Sequence, residues 1–162
     1  MTIISNTSPI LNLAIINKLF ILEKLYSKIF IPEAVFNEIT QFYPDDPVSN
    51  QLKNADWIIK KNISNTLFKK SLLIEIDEGE AEAIILALDL NTDLLLMDEK
   101  AGRKIAGEYN LNVTGVLGIL VEAKKNNLIS DIKSVMDELI TKAGFRIHKD
   151  LYNYILEFSK NF

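Results

Sequence analysis

The sequence predicts an α/β fold: a three-layer α/β/α sandwich around a four- to five-stranded parallel sheet, followed by a helical C-terminal extension. Three observations point to it. Short apolar, β-branched runs alternate with longer stretches of helical period. The runs at the first, second and fourth strand positions show little in–out alternation, as strands covered on both faces do. Beyond Gly115 the pattern turns wholly helical. No repeat, low-complexity tract or Gly/Ser linker interrupts the 162 residues. One domain is therefore expected over 1–162, with its core over about 1–125 and the helical extension over about 126–162.

Each element has a local signature. TIIS (Thr2–Ser5) reads as the first strand, and Ser8-Pro9 as an N-cap followed by proline at the first helical position. KIFI (Lys28–Ile31) reads as the second strand, with Pro32 opening the next helix in the same way. YPDDP (Tyr43–Pro47) reads as a turn, and WIIK (Trp57–Lys60) as the third strand. Asp77 and Glu80, spaced D-x-x-E before an apolar-periodic run, read as a capping box. LLLM (Leu94–Met97) is the fourth strand and LNV (Leu111–Val113) a short fifth. Helices then run through Lys125, over Asp131–Lys142 and over His148–Lys160.

Composition removes several chemistries. There is no cysteine, which excludes a disulfide scaffold, a thiolate nucleophile and a Cys-based zinc or iron–sulfur site. The single histidine excludes a multi-His metal site; His148 reads as a residue that caps or packs at the start of the last helix. The net charge of −4 does not favour bulk nucleic-acid binding but leaves room for a small basic face beside an acidic site. The N-terminal stretch lacks a basic region and is broken by Ser, Asn and Pro. The longest apolar run, Ala83–Leu88, is far short of a spanning helix. A cytoplasmic protein with no membrane partner is expected. Dinucleotide, P-loop and nucleophile-elbow motifs are missing.

What remains is carboxylate, hydroxyl and amide chemistry. In an open parallel sheet ligands bind beyond the carboxyl ends of the strands. Asn6-Thr7-Ser8 follows the first strand there, and Asp98-Glu99 the fourth. Glu80, with Ala83, Ile84 and Ala87 at i+3, i+4 and i+7, rides the apolar flank of its helix, whereas Glu82 shares a face with Asp89 and is expected to look toward water. Glu38, with Ala34, Val35 and Phe42 around it, also borders an apolar stripe. Converging carboxylates repel one another and take up protons or cations. Oxygen-only ligands suit Mg²⁺ or Mn²⁺, which activate water for attack on a phosphodiester. Lys100, Arg103 and Lys104 share the helix after Asp98 and are candidates to meet phosphates; Lys124-Lys125 is a second basic pair. Each residue has a purely structural alternative: a cap for Asp98, the capping box for Glu80, a lysine partner for Glu38, a capping turn for Asn6–Ser8, and a solvated face for the lysines.

The segments SNTSPI, IPEAVFNEI, DEGEAEAIILAL and LLLMDEKAGRKIA, with TGVLGIL (Thr114–Leu120) and AGFRIHKDLY (Ala143–Tyr152), together resemble the PIN-like domain. The branch they resemble is a poorly characterised prokaryotic one, related to the ribonuclease toxins of toxin–antitoxin pairs. The resemblance implies a metal-dependent ribonuclease whose four acids match Asn6, Glu38, Glu80 and Asp98, with the hydroxyl after the first acid matching Thr7 or Ser8. It also implies Mg²⁺ or Mn²⁺ as cofactor, RNA as substrate, a small inhibitory antitoxin protein and a homodimer. Asn6 departs from the pattern: an amide oxygen still ligates or accepts a hydrogen bond but brings no charge. Glu99, Asp77 and Glu78 are the nearby acids that would compensate. Two readings follow. In the first, Glu38, Glu80 and Asp98 hold metal, Asn6 and Ser8 orient water or phosphate, and Lys100, Arg103 and Lys104 steer RNA. In the second, hydrolysis is weak or lost and the domain binds nucleic acid or protein.

Overall fold

A computed structural model describes residues 1–42 and 45–162. Tyr43 and Pro44, the first half of the expected YPDDP turn, lie outside the described residues; Asp45 follows with φ 60° and Asp46 caps the next helix.

The chain begins with β1 (Ile3–Ser5), α1 (Thr7–Ile15), α2 (Phe20–Tyr26), β2 (Ile29–Pro32), α3 (Glu33–Phe42) and α4 (Pro47–Asn54). It continues through β3 (Ile58–Lys61), α5 (Thr66–Leu72), α6 (Glu78–Asp89), β4 (Leu94–Leu96) and α7 (Lys100–Glu108). It closes with β5 (Val113–Thr114), α8 (Val116–Lys125), α9 (Ile132–Lys142) and α10 (Lys149–Ser159). The five strands form one parallel sheet in the order β3-β2-β1-β4-β5.

Burial on both faces explains the apolar strands. In β1, Ile3 joins the core shared with α1, α8 and α9, while Ile4 points the other way into the core built on α6 and α7; both are fully buried. Leu96 and Leu95 divide in the same way across β4. Each such side chain contributes about 2 kcal/mol by leaving water. Helix α6 is buried from Gly79 to Ala87, around its whole circumference. Met136 and Leu139 of α9 and Ile155 of α10 add to the Ile3 core, so the C-terminal helices extend that core. No helix among the described residues is long and apolar enough to cross a membrane.

Three boundaries differ from the sequence reading. Helix α1 starts at Thr7 with Asn6 in the N-cap position, so Pro9 falls inside the first turn, where missing N–H groups cost nothing. Pro32 ends β2, one residue before α3. β5 sits at Val113–Thr114, starting two residues later and ending one later than expected, because the Thr114 carbonyl accepts from Met97 N–H and extends the pairing with β4. His148 caps α10, its Nδ1 accepting from the Asp150 N–H at 3.2 Å.

Candidate functional site at the carboxyl edge of the sheet

A parallel sheet brings all its strand C-termini to one edge. At the centre of that edge the Asn6 N–H donates to the Leu96 carbonyl at 2.9 Å, which locks the exit of β1 beside the exit of β4. The Asn6 side-chain amide then donates to Glu99 Oε2 at 2.9 Å. One residue on, the Thr7 hydroxyl donates to Glu38 Oε2 at 2.7 Å, tying the start of α1 to α3. Asn6, Thr7, Ser8, Glu38, Asp77 and Glu99 line a cavity of about 160 Å³. The start of α6 closes one side. A Cβ on Gly79 would lie 2.9 Å from Glu38 Oε2, 3.4 Å from Asn6 Oδ1 and 3.6 Å from Asp77 Oδ1, so these three oxygens surround a space only glycine leaves open.

Two of the expected acids stand behind this cavity rather than on its wall. Glu80 forms the capping box: its Oε2 accepts from Asp77 N–H at 3.1 Å, and its own N–H donates to Asp77 Oδ1 at 2.8 Å. Asp98 accepts from the Val116 N–H through Oδ1 at 3.0 Å, so it caps α8 and not the helix that begins beside it. Gly115 makes this approach possible, because a Cβ there would collide with Asp98 Oδ1. The other oxygen, Asp98 Oδ2, is buried without a hydrogen-bond partner, and the Ser8 hydroxyl is turned toward this carboxylate without an aligned bond. Asp77 and Glu99, passed over as primary ligands in the sequence, are the acids that join Glu38 at the cavity. The glycine two residues after Asp77 was the available signal.

The charges are poorly matched. Burial raises the Glu38 pKa, and the charges of Asp77 and Glu99 add to this against the Thr7 hydrogen bond. Burial also raises Glu80, reinforced by Asp77, Glu99 and Glu38 and opposed by the Asp77 N–H. Burial raises Asp98; Glu99 adds to it, while the Val116 N–H, Arg103 and the Ser8 hydroxyl work the other way. Glu38 has found a hydroxyl partner rather than a lysine.

The basic residues do not gather here as expected. Arg103 turns back to the Met97 carbonyl at 3.0 Å, beside Asp98. Lys104 lines a separate small cavity with Glu75 and Glu108, because it lies more than a turn down α7, about 6 Å from the helix start. Lys100 is exposed at the first residue of α7. Glu82 also departs from expectation. It is 7 % exposed, accepts from the Ala34 N–H at 3.1 Å and pairs with Lys69 at 2.6 Å. Its helix has no wet face at that level, since α3 and α5 both cover it.

An all-oxygen donor set with surplus negative charge and one orphaned buried carboxylate oxygen suits a hard divalent cation. The acids share one electrostatic field, yet among the described residues no three acidic or histidine side chains are drawn tightly enough to hold an ion as they stand.

Comparison with known proteins places this edge in context. A family model described as a PIN domain matches residues 2–161. A PilT N-terminus domain protein from the hyperthermophilic archaeon Sulfolobus solfataricus P2 has a similar structure, with a TM-score of 0.55 and 18 % identity. The likeness covers 76 % of this chain and 93 % of that one, and it supports the α/β/α fold. No curated protein matches the sequence.

Proposed function

The chain belongs to the PIN-domain family, a family generally made of nucleases, and from that premise we propose that it is a metal-dependent endoribonuclease, the toxin of a toxin–antitoxin pair. One observation carries the reading: Asn6, Glu38, Asp77 and Glu99 converge on a single cavity that no cationic side chain lines among the described residues. When bound, Mg²⁺ or Mn²⁺ would polarise a phosphodiester and lower the pKa of an attacking water. Glu38, Asp77, Glu99 and Asn6 Oδ1 are the donors that would hold it, with Asp98 and Glu80 in support.

The remaining roles belong to the chain itself. Thr7 fixes the orientation of Glu38 through its hydroxyl, and Asn6 fixes Glu99 through its amide. Ser8, at the cavity wall, accepts from the Asn12 amide at 3.1 Å and turns its hydroxyl toward Asp98, and exposed Lys100 would meet the RNA backbone. The same reading includes a small antitoxin protein, pairing of two copies, and action in the cytoplasm where the RNA is.

Purified protein is expected to cleave RNA with Mn²⁺, and Asp98→Ala to lower the rate about 10- to 100-fold. Undiminished cleavage by that variant would remove Asp98 from the site. Induced expression should arrest growth, and the same substitution should relieve the arrest.

Asn6 favours a second reading, a binding module with weak or no hydrolysis, because its amide already occupies Glu99 and adds no charge. Asn6→Asp separates the two. A large gain of Mn²⁺-dependent cleavage identifies a weakened enzyme; inactivity in both forms supports binding alone.

A further inference from the structure

Next to the strand-edge cavity lies a larger one of about 370 Å³ between α3 and the start of α6. Asn37, Glu38, Gln41, Asp77, Glu78 and Gly79 line it, and Glu38 and Asp77 border both spaces, so the two adjoin. Asn37 and Gln41 are spaced i, i+4 and share one face of α3. Ala34 and Gly79 contribute no bulk, which leaves the floor open. No cationic side chain lines this cavity among the described residues, and nearby Lys69 is engaged by Glu78 at 2.8 Å and Glu82 at 2.6 Å. With that lysine already shared between two carboxylates, a phosphate group would meet Glu38 and Asp77 with no free cation on the cavity wall.

A flat, uncharged group rich in N–H donors fits instead. Of the four RNA bases, guanine alone presents two adjacent donors, N1–H and the N2 amino group, to a carboxylate. Adenine and cytosine set one amino group beside a ring acceptor, and uracil flanks its single donor with two carbonyls, which a carboxylate repels. The guanine O6 acceptor would be met by the side-chain N–H groups of Asn37 or Gln41. We infer that the cavity between α3 and α6 is a guanine-binding subsite, with carboxylates on one wall and the Asn37–Gln41 amides on the other. Its use in choosing the base beside the cleaved bond rests on the ribonuclease reading; its affinity for guanine does not.

The test therefore has two arms. Isotope-labelled protein is titrated with the four nucleoside 5′-monophosphates, with no metal added. The guanine nucleotide is expected to shift the Asn37, Gln41 and Gly79 signals at concentrations roughly tenfold below the others, the effect of one hydrogen bond. Glu78→Gln and Asn37→Ala should each lose that preference while keeping the wild-type fold by circular dichroism. In the second arm, RNAs carrying a single guanosine or inosine, which lacks the N2 amino group, are compared for binding and for Mn²⁺-dependent cleavage. Weaker binding and cleavage of the inosine RNA support the subsite. Guanine preference without cleavage of any RNA supports the subsite and discredits the nuclease reading. Cleavage indifferent to inosine, or equal shifts from all four nucleotides, overturns the subsite whatever becomes of the nuclease.

Discussion

Glu80 and Glu82 stand two residues apart on α6 and are equally hidden from water, at 5 % and 7 % exposed, yet they live in opposite electrostatic worlds. Glu82 sits among partners: Lys69 on one oxygen, the Ala34 N–H at the start of α3 on the other. Glu80 has one N–H, from Asp77, and faces the charges of Asp77, Glu99 and Glu38. The first arrangement fastens α5, α6 and the N-terminus of α3 together. The second leaves negative charge unrelieved at the sheet edge. Burial alone therefore does not mark a functional acid; the informative signal is a buried acid whose neighbours fail to balance it.

Lys69→Met tests the balanced side and carries the largest expected effect. It strands Glu82 without its cation and should lower unfolding free energy by about 3 kcal/mol in urea titration. A loss under 1 kcal/mol would show that the Ala34 N–H alone satisfies Glu82. Gly79→Ala comes next. The added methyl must displace Glu38 from its 2.9 Å approach, so Mn²⁺ affinity is expected to fall about tenfold, as for loss of a supporting contact. Stability should change little, since alanine favours a helix over glycine. Equal affinity in calorimetry would mean Glu38 is not a ligand.

The smallest effect concerns pH. Glu38, Glu80 and Asp98 bind protons more tightly when folded than when unfolded. Between the ordinary carboxylate range and neutrality the native state therefore carries the extra protons. Stability should rise as pH falls from neutral through the raised values and be lost as pH climbs back through them. Glu80→Gln keeps the capping box, which tolerates glutamine, while removing a charge. It should stabilise the chain at neutral pH by on the order of 1 kcal/mol and flatten this slope in thermal melts across pH. An unchanged slope would assign the pH dependence to other groups.

Much of this architecture is legible in the sequence. The strands announce themselves because burial on both faces demands adjacent apolar residues, as in Ile3-Ile4 and Leu94–Leu96, and the D-x-x-E box at Asp77–Glu80 is a local device that needs no tertiary context. Asn6 and Glu38 were legible for the same reason: strand ends and apolar flanks can be counted along the chain. Glu82 was not, because helical periodicity presumes one wet face and α6 is covered on all sides. Nor was the choice of Asp77 and Glu99 over Glu80 and Asp98 at the cavity wall. Which acid turns inward depends on a glycine at 79 and on α8 arriving beside β4, a contact between residues far apart in sequence. The short helices α2, α4 and α5, of seven or eight residues, lack enough turns for a clear period.

The amide of Asn6 has one more consequence. By donating a hydrogen bond to Glu99, it holds that carboxylate in place without cancelling its charge, so the chain reaches its native shape with the acid fixed and its negative charge kept. On the proposed reading, folding and loading would be separate events: the assembled chain would await a doubly charged visitor that draws Glu99 away from the Asn6 N–H.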